Sequence, residues 1–339
     1  MKFNVGYQIT NTPDFVDSII ENRKHIGEVY FAWGDLPNGR HRMDALPEGQ
    51  DPEQMRLRQT DDLSRIASAG IGTDLLLNAS CYGGDSLSRS FFNKLGDTVD
   101  ELCHLFALSA VTTTSPLIAK FIKRNFATLS VRASVNMEIG TVQGLRYLAD
   151  YFDSFYMKRE CNRDLKRIKA LTAWCRENGK DLLLLANSGC LNHCSAHTFH
   201  DNLVSHEAEI LSKDNAYGFE GVCWKHLRTE DGRASWLADT NFIRPEDLAL
   251  YEPYFQTAKL ATRVNASPLR VLRAYLEERY VGPITDLLEP NHSGAFYPSI
   301  VENRMIDREF ATRVWACSKD CAACGYCAEV QKRATVELF

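Results

Sequence analysis

The stretch RDLKRIKALTAWCRENGKDLLLLANSGCLNHC, Arg163 to Cys194, contains the unit from which the fold is read. Leu165, Ile168, Leu171, Thr172 and Cys175 recur at the spacing of one helix face, predicting a helix over 163–178. A short apolar run follows at 181–187, too short for another helix and of strand length, and two cysteines sit just past its end. The same order recurs outward in both directions. Strand-like runs fall at 3–9, 28–33, 73–78, 109–113, 128–133, 154–158, 181–187 and 255–260. Helical patterns lie between them at 14–23, 52–69, 86–106, 116–125, 140–151 and 163–178, and one more follows at 268–278. Strand then helix, repeated about eight times, predicts parallel β/α units. A closed barrel and an open doubly wound sheet both satisfy that alternation. The count of eight, and the lack of a glycine-rich phosphate fingerprint after the first strand, favour a TIM-like (β/α)8 barrel.

Two segments leave the repeat. Residues 189–254 form a long insertion after the seventh strand, far beyond an ordinary loop and therefore read as functional or as a small subdomain. Residues 293–339 form a tail that ends in a cysteine-rich segment, so the expected organisation is a barrel over 1–292 and a metal-binding tail over 293–339. At 339 residues with 45% hydrophobic and 24% charged side chains, one barrel with an appendage fits the chain. The net charge of −5 gives no reason to expect a polyanion partner. The N-terminal MKFNVGYQIT lacks a secretion-signal pattern, and apolar runs such as Leu182 to Ala186 are too short to span a bilayer. The expectation is a cytoplasmic chain without membrane insertion, in which eleven cysteines point to metal rather than to disulfides.

The sharpest local signal is Cys317-Ser-Lys-Asp-Cys321-Ala-Ala-Cys324-Gly-Tyr-Cys327. Four thiols within eleven residues can converge on one inorganic centre, because each short spacer turns the chain back on itself. The spacing from Cys321 to Cys327 is that of bacterial ferredoxins, although Cys317 precedes the run and no proline follows it. An iron–sulfur centre is the first reading and a four-thiolate zinc site the alternative. A second group assembles only through the fold: Cys81 past the third strand, Cys190 and Cys194 past the seventh, and Cys223 in the insertion. On parallel barrel strands these thiols share the C-terminal face, where barrel enzymes keep their chemistry. Cys161, past the sixth strand, is the rival for the position given to Cys81. Cys103 and Cys175 lie in apolar helical patterns and read as inert packing.

His193, His197, His200, His206 and His226 crowd the insertion, as groups that orient ligands, as general acids or bases, or as plain loop caps. His197 and His200 are the catalytic candidates, although with Asp201 they lack the H-E-x-x-H order of zinc proteases. Arg132, Asn136 and Glu138 at the fifth strand, and Lys158, Arg159 and Glu160 at the sixth, read equally as substrate contacts or as an ion-pair ring at the rim. Arg244 before Pro245, with Glu246 and Asp247, is a helix-start signature.

NSGCLNHCSAHTFHDNLVSH (Asn187–His206), Cys223, FIRPEDLALYEPYFQTAKLATR (Phe242–Arg263) and AYLEERYVGPITDLL (Ala274–Leu288) together resemble the peptidase U32, or collagenase-like, family. The resemblance runs from the first strand to about Leu288 and implies a barrel. It implies two functional classes, proteolysis, from which the family takes its name, and oxygen-independent hydroxylation of ubiquinone precursors or tRNA uridine by relatives that carry a 4Fe–4S cluster on four cysteines. It places the cluster on Cys190, Cys194 and Cys223, with Cys81 inferred from a matching NASCYG segment. The cysteine spacing differs from that of the hydroxylation proteins, and the Cys317–Cys327 tail stands where collagenase-like members have a longer domain.

The leading expectation is therefore an oxygen-independent redox or hydroxylation-type enzyme with one or two 4Fe–4S clusters, zinc being the alternative for the tail. A peptidase with His197 or His200 as base is the alternative, and a non-enzymatic iron–sulfur scaffold or electron carrier is the third reading. The substrate stays open between a small molecule and RNA. The expected protein partner is an electron donor or a second member of the same family.

Overall fold

The structure is a computed structural model that describes residues 1–39, 51–106, 108–321 and 323–339. Its frame is the expected barrel: β1 (Lys2–Gly6), α1 (Asp14–Glu21), β2 (Ile26–Phe31), α2 (Pro52–Ser68), β3 (Gly72–Leu77), α3 (Arg89–Phe106), β4 (Ala110–Thr113), α4 (Pro116–Asn125), β5 (Ser130–Ala133), α5 (Val142–Leu148), β6 (Ser154–Tyr156), α6 (Leu165–Glu177) and β7 (Asp181–Leu185). The insertion follows with α7 (His197–Ser205), α8 (Glu207–Leu211), α9 (Val222–Leu227) and α10 (Glu230–Asp239), before β8 (Thr257–Leu260) and α11 (Pro268–Leu276) resume the repeat. The eight strands close in sequence order, and β8 pairs in parallel with β1, Phe3 opposite Ala258. Among the described residues no helix is long and apolar enough to cross a membrane.

Local chemistry fixes the helix starts. Ser115 accepts a hydrogen bond from the Ile118 amide with Pro116 in the first turn, and Asp164 accepts from the Arg167 amide, so two N-termini have their free amides capped. The stripe expected on α6 is the buried face: Ile168, Leu171, Thr172 and Cys175 are buried, joined by Trp174, while Leu165 is only partly covered. Each large apolar side chain so buried contributes about 1.5–3 kcal/mol. Six of the eight strands are shorter than the apolar runs suggested, while β2 and β3 keep the expected length. β6 ends at Tyr156, and the Lys158 amide turns away to donate to Ile139 O at 2.7 Å. Gly6 closes β1 because a Cβ there would lie 2.7 Å from Arg263 Cγ and from the Tyr30 ring.

The barrel interior departs from the usual stack of branched aliphatics. Arg132 on β5 is ion-paired through both guanidinium nitrogens to Glu28 on β2 and stands 3.8 Å from Asp74 on β3. Asp74 also accepts from Thr112 Oγ1 at 2.7 Å, and Asn4 on β1 donates to the Tyr156 hydroxyl on β6 at 3.3 Å. The sequence had placed Arg132 at the rim. It is instead the structural ion pair inside the barrel, because the inward face of β5 meets β2 and β3 only once the sheet closes.

The tail is built from α12 (Ser293–Phe296), β9 (Ser299–Val301), α13 (Phe310–Trp315), α14 (Tyr326–Ala334) and β10 (Thr335–Glu337), with β10 antiparallel to β9. It is sewn to the insertion: Gln331 on α14 accepts from the Leu237 amide of α10 at 2.7 Å and donates to Arg233 O. Fully buried Trp236 of α10 packs on Phe242 and on Phe296 of α12.

His292, just before α12, is 1% exposed with its ring against Trp224, and neither ring nitrogen has a hydrogen-bond partner among the described residues. Burial lowers it to about 4. Below its ordinary 6.5 the unfolded chain takes up a proton that the folded chain refuses, so stability from this group is complete above 6.5 and drains as pH falls toward 4. Urea unfolding should show a loss of about 3 kcal/mol across that window, absent in His292→Leu. The interior ion pair makes a second prediction. Arg132→Met leaves Glu28 and Asp74 facing each other without the guanidinium that pairs them and should cost about 3–5 kcal/mol in urea unfolding at neutral pH, with Glu28→Gln restoring part of it in the double variant.

Candidate functional site at the barrel mouth

The loops after β5, β6 and β7 converge at the C-terminal face. Arg159, after β6, organises them: its Nη1 donates to Cys190 Sγ at 3.5 Å and lies 2.9 Å from His197 Nε2, while Nη2 donates to Asn136 Oδ1 at 3.0 Å. Burial opposes the Arg159 charge, yet Cys190, Glu138 and Asp201 hold its pKa above the ordinary value. At the rim Lys158 bridges Glu138 at 3.1 Å and Glu160 at 2.9 Å, and Glu160 accepts from the His193 amide at 2.7 Å. Against the burial that would raise it, that amide and Lys158 keep the Glu160 carboxyl below the usual carboxylate range. The charged residues after β5 and β6 thus form the ion-pair ring.

Cys190 and Cys194 line a cavity of about 380 Å³ with Arg159, Glu160 and His197. Cys223 on α9 joins them electrostatically: burial pushes its thiol up, and Cys190 and Cys194 push it further. Cys81 lies elsewhere, in a cleft of about 570 Å³ with Asn38, Tyr82, Ser205, His206 and Glu209, where the Gly83 amide donates to its Sγ at 3.5 Å. Cys161 is fully buried in the apolar core, and burial also pushes Cys175 up to about 12. All eleven cysteines are unpaired.

In the tail, Cys317, Cys321 and Cys324 are exposed and Cys327 is half-buried on α14. Burial raises Cys321, which Cys317 and Cys324 raise further, and burial raises Cys327, which Cys321, Cys317 and Cys324 raise further. Lys319, at φ +64°, donates to the carbonyls of Arg163 and Val314 and pins this loop to the barrel. Among the described residues no three His, Cys, Asp or Glu side chains stand close enough to share a single metal ion. A polynuclear cluster is a different demand, since its thiolates bind different metal atoms and stand farther apart. The unpaired, mutually interacting thiols of each group have the donor chemistry for one.

Of the insertion histidines, His197 touches the Arg159–Cys190 pair, with Asp201 at 3.4 Å from its Nε2, whereas the His200 ring packs on Phe219. His206 pairs through Nδ1 with Glu209 at 3.6 Å, and His226 lies 3.8 Å from Asp239. Sequence reasoning missed Lys259. It lies on β8 at the floor of the mouth, in a cavity of about 80 Å³ also lined by Cys190, Arg159, Arg263 and Tyr30. Its signal was a lysine inside the otherwise apolar run AKLA, where a strand of a closed barrel has only an interior or a helix-covered face to offer.

No protein-family profile matches the chain. The uncharacterized protease MJ1657 of Methanocaldococcus jannaschii is 26% identical over 270 residues, covering 77% of this chain and 76% of its own length. Among solved structures, the U32 peptidase Mk0906 superposes with a TM-score of 0.53 at 14% identity, over 76% of this chain and 92% of that one, a likeness of fold. A conserved Enterococcus faecalis protein of unknown function reaches a TM-score of 0.41 at 8% identity, over 82% of this chain and 66% of that one, too distant to bear on the site. The cysteine and IRPEDL segments of its sequence, a protease-named relative matched over three-quarters of both chains, and the closed barrel make the chain similar to the peptidase U32 proteins.

Proposed function

We propose that this chain is a U32-family redox enzyme that holds one iron–sulfur centre at the barrel mouth and a second in the tail, and carries out an oxygen-independent modification of a substrate bound over the barrel. One observation carries the reading. Helix α10 packs on α9, which bears Cys223, and on α14, which bears Cys327, so a single helix joins two groups of unpaired thiols. The link is tightened by the Asn192 amide, which donates to Asp239 O at 2.6 Å between Cys190 and Cys194, while the Asp239 carboxylate acts on Cys321.

Cys190, Cys194 and Cys223 would hold the mouth centre, and Cys317, Cys321, Cys324 and Cys327 the tail centre. When bound, such centres would supply one-electron transfer, and a centre with three thiolates would keep a position for substrate. The chain's own residues do the rest. Arg159 donates to the Cys190 sulfur and so favours its charged form, the outer contact by which proteins tune such centres. The Lys158–Glu138–Glu160 ring fixes the rim around the cavity, and the insertion covers the mouth. The exposed tail thiols face solvent, where an external electron donor would dock.

Anaerobic purification followed by iron, zinc and acid-labile sulfide analysis tests this. The expected result is about eight irons and eight sulfides per chain. Cys190→Ser should lose about half and abolish turnover, and Cys321→Ser should lose the other half. Zinc without sulfide would overturn the reading.

A second reading, a cysteine peptidase, has a specific observation of its own. Cys81, its Sγ facing the Gly83 amide, shares a cleft with His206, whose Cε1 lies 3.7 Å from a Cβ built on Gly83 and whose Nδ1 is oriented by Glu209. That arrangement offers a thiol, a base and an orienting carboxylate, with His206 in place of His197 or His200 as the base. Under this reading peptide hydrolysis survives removal of iron and is lost in Cys81→Ser and His206→Ala. Under the first, chelated protein hydrolyses no peptide.

A further inference from the structure

We propose that Lys259 is a covalent anchor for a carbonyl compound, its Nζ forming an imine with a small aldehyde or ketone at the floor of the barrel mouth. The inference stands apart from the metal centres and survives if either is absent.

Position comes first. Lys259 lies on the last strand to close the barrel, near the C-terminal ends of the strands from which barrel enzymes draw reacting groups. It is 7% exposed and still lines the small cavity that opens toward Cys190 and Arg159. Its Nζ stands 3.8 Å from the Tyr30 ring centroid and 4.9 Å from that of Tyr156, a wall of two aromatic faces. Every tyrosine hydroxyl here is engaged: Tyr30 donates to Leu260 O at 2.7 Å, and the Tyr156 hydroxyl accepts from Asn4. The Tyr30 proton is thus committed to a backbone carbonyl, while the Tyr156 hydroxyl keeps its own proton to donate.

The charge environment makes the amine available. The groups that act on Lys259 are Asp74, Arg263, Arg132 and Glu28. The carboxylates are already committed to Arg132, as Glu28 is ion-paired to it and Asp74 lies within 3.8 Å. Burial, aided by Arg263 and Arg132 and opposed by Asp74, brings the ammonium down to about 8. A lysine desolvated next to other cations is the usual preparation of an amine nucleophile.

The step balances without a redox partner. The Nζ lone pair attacks the carbonyl carbon, and a proton passes from nitrogen to the former carbonyl oxygen to give a carbinolamine. That hydroxyl departs as water after taking up a proton, and the C=N bond forms, so one carbonyl compound and one amine give one imine and one water. The protonated imine keeps the positive charge over the Tyr30 and Tyr156 faces, where a cation is stabilised. A cavity of about 80 Å³ limits the carbonyl end of the substrate to a few heavy atoms.

The test uses the full chain, purified without oxygen, incubated with acetaldehyde or pyruvate and sodium cyanoborohydride, with peptide mass spectrometry as readout. The expected result is one saturable adduct on the peptide containing Lys259, forming several-fold faster at pH 8.5 than at pH 6.5 and absent in Lys259→Arg. Tyr30→Phe keeps the aromatic wall and should keep the adduct, which separates chemistry from loss of fold. Labelling spread over surface lysines at equal rates, or none on Lys259 in the folded wild-type chain, would overturn the proposal.

Discussion

Arg132, held inside the barrel between Glu28 and Asp74, is the interaction on which the rest of the structure depends. Eight parallel strands that close on themselves must fill their interior, and most barrels do so with branched aliphatic side chains. Here the lower interior is charged. Two carboxylates and a guanidinium removed from water are tolerable only together, since any one alone carries a large desolvation cost. Above the cluster, Tyr30, Tyr156 and Lys259 form a polar floor under the mouth, and the Lys259 ammonium adds a second positive charge near the two carboxylates. The chemistry of the site therefore begins in the core.

Above that floor the insertion serves as a wall and as a connector. Arg159 draws Asn136 from the loop after β5, and Cys190 and His197 from the insertion after β7, to one guanidinium. Helix α10, with Trp236 at its buried face and Gln331 hydrogen-bonded to its backbone, ties the tail to the same wall. The two thiol groups are far apart in sequence and share this one helix as neighbour.

Elements whose causes are local were legible before the fold. Helix α4 spans the predicted residues because Ser115 and Pro116 define its start in the sequence itself, and the stripe on α6 is a matter of periodicity. The closed barrel followed from counting such units. What escaped was set by closure. The partners of Arg132 lie on strands separated from it by 58 residues and more, and no local pattern reports them. Cys81 and Cys190 both follow barrel strands, as expected, yet open into different cavities because α7 brings Ser205 and His206 to the loop that bears Cys81. Lys259 was hidden for the same reason, as a single charge in an apolar run declares burial without declaring what it faces.

The central claim is that the two thiol groups hold iron–sulfur centres in communication. Electron paramagnetic resonance of the dithionite-reduced, anaerobically purified chain tests it most directly. The account predicts two overlapping signals from reduced clusters, broadened by their coupling through space, and a single unbroadened signal once the tail cysteines are replaced by serine. A reduced chain that gives no cluster signal and carries zinc on the tail would contradict it.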